Sequence, residues 1–367
     1  MDQQKRTWAE ISLSNIEHNY RTMRSHLPSG TRFLGVVKAD AYGHGALRVG
    51  TLLENLGCDY LATATIDEAA ELRDSGIKMP ILIFGSTPAD CAEDLVAYSI
   101  TQSVSTLIDA KAYSEAAGRL GKTLKVHIKL DSGMGRLGFS RSGLKDALAV
   151  LKLPGLNAEG VFTHFATSEI TCDEYTRNQL SVFMESVDLL ENYSGHKFEI
   201  RHCANSAGML NYSEAHLDMI RPGIALYGIN PDKSAPEWGL RPAMSLKTRI
   251  ALIRDLPAGE CVSYGRTFTA ETDRRIAVIP IGYADGLHRV LSNKLEVMLH
   301  GRRVRQIGNI CMDMCMIDVT DMPSASVGDV VTVFGDGVSA CELASKAGTI
   351  SYEILCSLSP RVPRVYI

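Results

Sequence analysis

The stretch FLGVVKADAYGHGALRVGTLLENLGCDYLATATIDEAAELRDSGIKMPILIFG, residues 33–85, alternates between two patterns. Short apolar runs, FLGVVKAD (33–40), DYLATAT (59–65) and PILIFG (80–85), are separated by segments of helical character. In IDEAAELRDSG, apolar and Ala positions recur at helical spacing, and Gly76 supplies a stop. Strand, helix and strand at this spacing predict parallel βα units. The alternation continues through ITQSVS (100–105), KVHIKLD (125–131), AEGVFTHF (158–165), FEIRHCANS (198–206) and MIRPGIALYG (219–228). Eight such units predict a closed (β/α)8 barrel of the TIM type. An open doubly wound sheet is the alternative that periodicity leaves standing.

The pattern changes at PDKSAPEWGLRP (231–242), where Pro and polar residues mark a linker. Beyond it, closely spaced alternating runs such as MSLKTRIALIRDL, RIAVIPIGYADG, LEVMLHG and DVVTVFGDG predict a mostly antiparallel β domain. The expected division is a barrel over 1–239 and a β-rich domain over 240–367. The opening strand-like segment, about 6–13, is a candidate to join the second.

The 367 residues, 45% of them hydrophobic, are enough for a large barrel and a second domain. A net charge of −4, spread along the chain with no basic patch, argues against nucleic acid and for a small-molecule substrate. The nine cysteines include no C-x-x-C pair and are odd in number. That fits reduced thiols better than disulfides or a metal site, and Cys311 and Cys315 are expected to serve packing. The N-terminal residues have no signal-peptide character and no stretch approaches a membrane span, so a cytoplasmic protein is expected.

Chemistry-bearing residues recur at the ends of the barrel strands. Lys38 closes FLGVVK; an isolated lysine there more often snorkels to solvent, but burial lowers its pKa and makes its amine a nucleophile toward an aldehyde. KVHIKLD leads to Arg136, GVFTHF carries His164, RHCANS ends on Ser206, and MIRPGI carries Arg221 and Gly223. A barrel builds its active site at these strand ends, so their joint placement outweighs each residue alone. GMGRLG (133–138) has the form G-x-G-x-x-G, but it lies mid-series with no acidic strand end some twenty residues on, so a dinucleotide site is discounted.

Taken with four later motifs, these residues resemble the alanine racemases over essentially the whole chain. VVKADAYGHG is similar to their lysine motif. SYG (263–265) resembles the segment of their catalytic tyrosine. IGYADG, ICMD and SYE, the last ahead of RVPRVY, match in order. The resemblance implies pyridoxal 5'-phosphate as cofactor, held covalently by Lys38. It implies Tyr42, Ser206, Gly223, Ile224 and Tyr352 around the phosphate, and Arg221 facing the pyridine nitrogen. Lys38 and Tyr264 are implied as the two acid/base groups, with His164 and Arg221 as cationic neighbours that favour the Tyr264 phenolate. Arg136, Tyr283 and Met312 are implied around the substrate, and Lys129 matches a lysine often carbamylated in relatives. His44 is expected to shape its loop.

The implied assembly is a head-to-tail homodimer in which each active site combines Lys38 of one chain with Tyr264 of the other. The implied role is supply of D-alanine for peptidoglycan. Asn309, where many relatives have Arg, and Met314, where many have Gln, depart from the pattern beside ICMD. The alternatives are a serine or broad-specificity racemase, a decarboxylase on the same plan, and a non-catalytic carrier of the cofactor.

Overall fold

The computed structural model describes residues 6–231 and 237–367; of the expected linker, residues 232–236 lie outside the described residues. The chain divides into two compact units. One comprises the described residues of 15–41 and 45–241, the other those of 1–14, 42–44 and 242–367.

In the first unit, eight parallel strands form a nearly closed barrel. They are β2 (Arg32–Val36), β3 (Tyr60–Thr63), β4 (Ile81–Ile83), β5 (Thr101–Val104), β6 (Leu124–Lys129), β7 (Leu156–Phe162), β8 (Ile200–His202) and β9 (Met219–Ile220). Neighbours pair in chain order, and β9 returns to pair with β2. The remaining seam is bridged by backbone bonds from Asp218 N to Arg201 O at 3.1 Å and from Arg221 N to Ala204 O at 3.0 Å. The strands are apolar on both faces because the intervening helices cover the outside. Those helices start where the sequence offers a cap. Thr65 accepts from Glu68 N ahead of α4 (Ile66–Asp74), Thr106 from Asp109 N ahead of α6 (Leu107–Arg119), and Asp173 from Tyr175 N and Thr176 N ahead of α8 (Glu174–Ser194). Gly195, with φ +72°, closes α8 in the left-handed conformation that glycine adopts without penalty.

One sequence expectation changes here. FLGVVKAD does not run extended to Asp40. The strand ends at Val36, and the next helical segment, α2 (Lys38–Gly43), is left-handed: Ala39, Asp40, Ala41 and Tyr42 have φ between 52° and 54°, and Gly43 has φ +79°. Each non-glycine residue in that state costs about 1–2 kcal/mol, so the turn is held by its surroundings. Ala39 N donates to Glu68 Oε1 at 2.7 Å, Glu68 Oε2 accepts from Ala64 N at 2.7 Å, and Asp40 Oδ1 accepts from Ala46 N at 2.8 Å. One carboxylate thus fastens the loops after β2 and β3, and the tight turn begins at Lys38.

The second unit is built on a nine-stranded sheet in the order β11-β14-β17-β16-β15-β18-β10-β1-β19. Its strands are β1 (Thr7–Ile11), β10 (Met244–Arg249), β11 (Leu252–Leu256), β14 (Arg274–Ile279), β15 (Glu296–Leu299), β16 (Arg302–Ile307), β17 (Cys315–Asp318), β18 (Val330–Phe334) and β19 (Arg364–Tyr366); β12 (Cys261–Val262) and β13 (Phe268–Thr269) form a separate ribbon. Pairings in the sheet are antiparallel except β1 with β19, which is parallel. Two short helices, α10 (Ala340–Ala347) and α11 (Ser351–Cys356), complete it. The N-terminal strand β1 therefore belongs to this sheet, between β10 and β19.

Candidate active site

In the barrel unit the candidate residues gather at the C-terminal ends of the strands. Lys38 follows β2, Lys129 ends β6, His164 follows β7 by two residues, and Arg221 follows β9 directly. Ser206 begins α9 (Ser206–Asn211) rather than ending a strand. The ends of β2 and β9 are tied by Val36 N donating to Pro222 O at 3.1 Å and by Tyr227 Oη donating to Val36 O at 2.9 Å.

Arg221 is the electrostatic centre of this end. It is buried at 3% exposure, yet burial brings its pKa down only to about 10, so it remains a cation at neutral pH. Its Nη1 donates to His202 Nδ1 at 3.0 Å. Its Nη2 faces Thr163 O at 2.9 Å, Cys203 O at 3.0 Å and His164 Nδ1 at 3.3 Å. The rings of Phe162 and Phe84 lie 5.5 and 5.9 Å from its guanidinium carbon.

His164 departs from the expectation that it is a cationic neighbour. Burial, with Arg221, Arg136, Lys129 and Lys38 adding repulsion, drives its pKa well below the ordinary value, so the ring is neutral. Guanidinium can only donate, so His164 Nδ1 is the acceptor and its proton sits on Nε2. His164 therefore offers a hydrogen bond, and Arg221 alone of the pair carries charge.

Lys129 is buried, donates from Nζ to Leu130 O at 2.8 Å, and lies 5.3 Å from the centre of the Phe162 ring. Burial, then the field of Arg221, lowers its pKa to about 7. The unfolded chain keeps the amine near 10.5, so between these values it binds more protons than the folded state. Stability should therefore rise with pH from about 7 to 10.5, by on the order of a few kcal/mol. Lys129→Met should flatten that rise in urea titrations run without dissolved carbon dioxide. An unchanged slope would show that Lys129 is not its source.

Arg136 lies exposed on the loop after β6, and among the described residues no carboxylate is within ion-pairing distance of it. The loop is shaped by Asp131, whose Oδ1 accepts from the N–H groups of Gly133, Met134 and Gly135 at 2.9–3.1 Å. The glycines of GMGRLG thus serve a loop wrapped around a carboxylate: Gly133, Gly135 and Gly138 all have positive φ.

Ser206 Oγ accepts from Gly223 N at 2.9 Å and Ala225 N at 3.2 Å. Its own hydroxyl proton and the N–H of Ile224 have no acceptor among the described residues, although Ser206 and Ile224 are 3% and 0% exposed. Buried donors aimed at no protein acceptor suit an anion.

In the second unit, Tyr42 and Tyr352 come together with ring centres 5.9 Å apart. Burial, reinforced by Tyr352, raises the Tyr42 phenol, so it stays a neutral donor. His44 is buried, with Nδ1 3.0 Å from Tyr42 O. IGYADG and ICMD are joined by backbone bonds from Tyr283 N to Cys311 O at 3.1 Å and Ala284 N to Met312 O at 3.0 Å. Asp285, fully buried, fastens both motifs: it accepts from Gly282 N at 3.0 Å and pairs with Arg6 at 2.8 Å, and Arg6 also reaches Asp313 O at 3.1 Å.

Tyr264 is neither in a strand nor packed in a core. It stands 74% exposed in a turn whose neighbours Ser263, Gly265 and Arg266 have φ of 68°, 71° and 48°. Asn309 holds that turn: its Nδ2 donates to Tyr264 O at 2.7 Å, while Ser263 Oγ donates to Asn309 O at 2.6 Å. The residue noted as a departure is thus a clamp on the tyrosine loop. Tyr264 lines a cavity of about 410 Å³ with Cys311 and Met314. Tyr283 and Met312 are 44% and 52% exposed.

Three residues that matter to this geometry went unremarked in the sequence: His127, Glu159 and His202. Their signal was a polar residue midway along an apolar strand, at KVHIKLD, AEGVF and IRHCA.

Comparison with known proteins covers the whole chain. The alanine racemase N-terminal domain family matches residues 11–231 and the alanine racemase C-terminal domain family residues 243–366. An alanine racemase of Desulfovibrio desulfuricans is 45% identical over 366 residues, 98% of each chain. A solved alanine racemase from Clostridium difficile 630 superposes with TM-score 0.95 at 40% identity, covering 99% of this chain and 96% of that one. One from Bacillus anthracis, with bound L-Ala-P, superposes with TM-score 0.92 at 36% identity, covering 99% and 95%.

Proposed function

The chain belongs to the alanine racemase family, and from that premise we propose that it interconverts L- and D-alanine with Lys38 and Tyr264 handling the α-proton on opposite faces of the substrate. The observation that carries this is the array at the barrel strand ends: Lys38, a buried charged Arg221, a neutral His164, and the unspent donors at Ser206 and Ile224.

The donor set fits pyridoxal 5'-phosphate. Ser206 Oγ–H and Ile224 N–H, beside Gly223, suit its phosphate, with Tyr42 and Tyr352 as phenol donors to the same group. Lys38 would hold its aldehyde carbon. Arg221, which donates and cannot accept, would face the ring nitrogen and leave it unprotonated. When bound, the cofactor supplies an electron sink for the carbanion.

Racemisation then needs one proton removed from one face and another delivered to the other. The Lys38 amine takes it from D-alanine and the Tyr264 phenolate takes it from L-alanine, in each case with the other group protonated to deliver a proton to the opposite face. Tyr264 is exposed at the surface of its unit, and we infer that it serves the Lys38 site of a second copy in a head-to-tail homodimer. Arg136 and the backbone near Met312 receive the substrate carboxylate, and Tyr283 borders the entrance. The Lys129 amine, neutral in half its copies near pH 7, is a nucleophile for carbon dioxide; its carbamate would pair with Arg136. On this proposal the chain has a barrel domain that ends at 239 and a β-rich domain over 240–367 joined by the N-terminal strand β1, and works in the cytoplasm supplying D-alanine for peptidoglycan. Among the described residues no helix is long and apolar enough to cross a membrane.

The test is incubation of the enzyme, loaded with pyridoxal 5'-phosphate, with L-alanine or L-serine in deuterated water. D-Alanine should appear together with α-deuterium, and alanine should turn over faster than serine. Absence of both chirality change and exchange would refute the proposal.

A further inference from the structure

A chain of hydrogen bonds runs through the barrel from its N-terminal to its C-terminal end. At the first end, the buried Glu159 of β7 pairs through Oε2 with Lys125 at 2.6 Å and accepts through Oε1 from Tyr60 Oη at 2.8 Å. His127 of β6 stands next, with Nε2 3.4 Å from Glu159 Oε1 and Nδ1 2.8 Å from His202 Nε2. His202 Nδ1 then meets Arg221 Nη1 at 3.0 Å.

Elementary hydrogen-bond accounting gives this chain one direction. Guanidinium only donates, so His202 Nδ1 is bare and its proton is on Nε2. That proton is given to His127 Nδ1, so the His127 proton is also on Nε2. The remaining donor needs an acceptor, and an ionised carboxylate can only accept. Arg221 and Glu159 are therefore the two fixed ends of an unambiguous row: guanidinium to His202, His202 to His127, His127 to carboxylate. Both rings are neutral, since burial and Arg221 hold His202 well below its ordinary pKa and burial lowers His127. Burial alone would raise Glu159, but bonds from His127 and Lys125 bring it to about 2, so its acceptor role holds at any working pH.

The fold makes room for this row. The register of β6 on β7 shifts between Val126 and His127, placing His127 opposite Gly160. A Cβ at 160 would stand 2.5 Å from His127 Cε1 and 2.7 Å from its Cγ, so only glycine admits the ring. Phe162 stacks on His202 with ring centres 4.7 Å apart and planes 7° apart, which fixes the plane of the imidazole.

Resting on the racemase function proposed above, we propose that Glu159 is a positioning residue for Arg221, acting through His127 and His202 from the far end of the barrel. It sets the tautomer of both imidazoles, so that Arg221 meets a bare nitrogen and its guanidinium is held in one orientation. With glutamine at 159 the direction is lost. The amide can present N–H to His127, which moves the proton of each ring to Nδ1 and turns a donor toward the guanidinium.

The test is ¹⁵N-histidine NMR of the wild-type enzyme, with and without pyridoxal 5'-phosphate, alongside Glu159→Gln and Lys125→Met. Wild-type His127 and His202 should both be neutral with the proton on Nε2. Glu159→Gln should give mixed tautomers at both rings and a kcat lowered about tenfold, in the range that losing a partner of a site residue costs, with KM for alanine little changed. Lys125→Met removes a charge partner from the same carboxylate but leaves the row intact, and should keep wild-type tautomers and kcat. A wild-type His202 protonated on Nδ1 or on both nitrogens overturns the proposal even if no glutamine variant folds. So does a Glu159→Gln enzyme with wild-type kcat, or an equal loss in Lys125→Met. A wild type that does not racemise alanine would instead count against the racemase function, and the tautomers would still be read.

Discussion

Lys38→Ala is expected to lower alanine turnover by on the order of 10⁵-fold or more, the scale on which removing a covalently acting group from a concerted site is felt, and to leave the purified enzyme without the yellow colour of bound cofactor. The two effects have one origin. On the proposed function, Lys38 would both hold the cofactor's aldehyde carbon and move the proton of D-alanine. It stands two residues past the end of β2, before the left-handed turn over residues 39–43, so its replacement does not disturb the strand core. Its variant should keep the thermal midpoint of the cofactor-free wild type. A colourless but fully active Lys38→Ala enzyme would rule out the covalent role. A coloured, inactive one would move the attachment elsewhere and leave only the proton role.

Tyr264→Phe should cost about 10³-fold in the conversion of L-alanine, within the range for removing a general acid/base group. The loss should be directional. Exchange of the α-proton of D-alanine with solvent, assigned to Lys38, should survive in large part, while exchange from L-alanine should not. Because Tyr264 is exposed and its loop is clamped at the backbone by Asn309 and Ser263, removing the hydroxyl leaves the loop in place. The same variant tests the assembly. In a mixed dimer of Lys38→Ala and Tyr264→Phe chains, a site shared between chains pairs the intact Lys38 of one with the intact Tyr264 of the other. Activity should then return toward half of wild type. Mixed dimers as inactive as their parents would show that each chain builds its own site.

The structure also changes the account of how Tyr264 is helped. His164 was expected as a cation beside it. Removed from water, and then crowded by Arg221, Arg136, Lys129 and Lys38, the imidazole is neutral. On the proposed function, the help this ring could give a Tyr264 phenolate is a hydrogen bond from Nε2 and not a positive charge.

The alternation of β-branched runs with helical stretches determines the barrel because period and spacing are local properties: a strand that buries both faces reads as apolar, and a capped helix announces its start at Thr65, Thr106 or Asp173. Lys38, His164, Ser206 and Arg221 were legible for the same reason, each breaking an apolar run near its end. Backbone handedness and proton placement were not. The left-handed turn at residues 39–43 contains only one glycine, so nothing in ADAY announces it; it persists because Glu68 and Asp40, fixed by other elements, hold its amides. The neutral state of His164 depends on burial, and then on the field of Arg221 and other basic groups, all brought about by tertiary packing. His127, His202 and Glu159 lie 32 to 75 residues apart in their contacts, and each alone reads as a stray polar residue in a strand. A hydrogen-bond row has a direction only when both of its ends are known, and the barrel alone brings Arg221 and Glu159 to opposite ends of the same row.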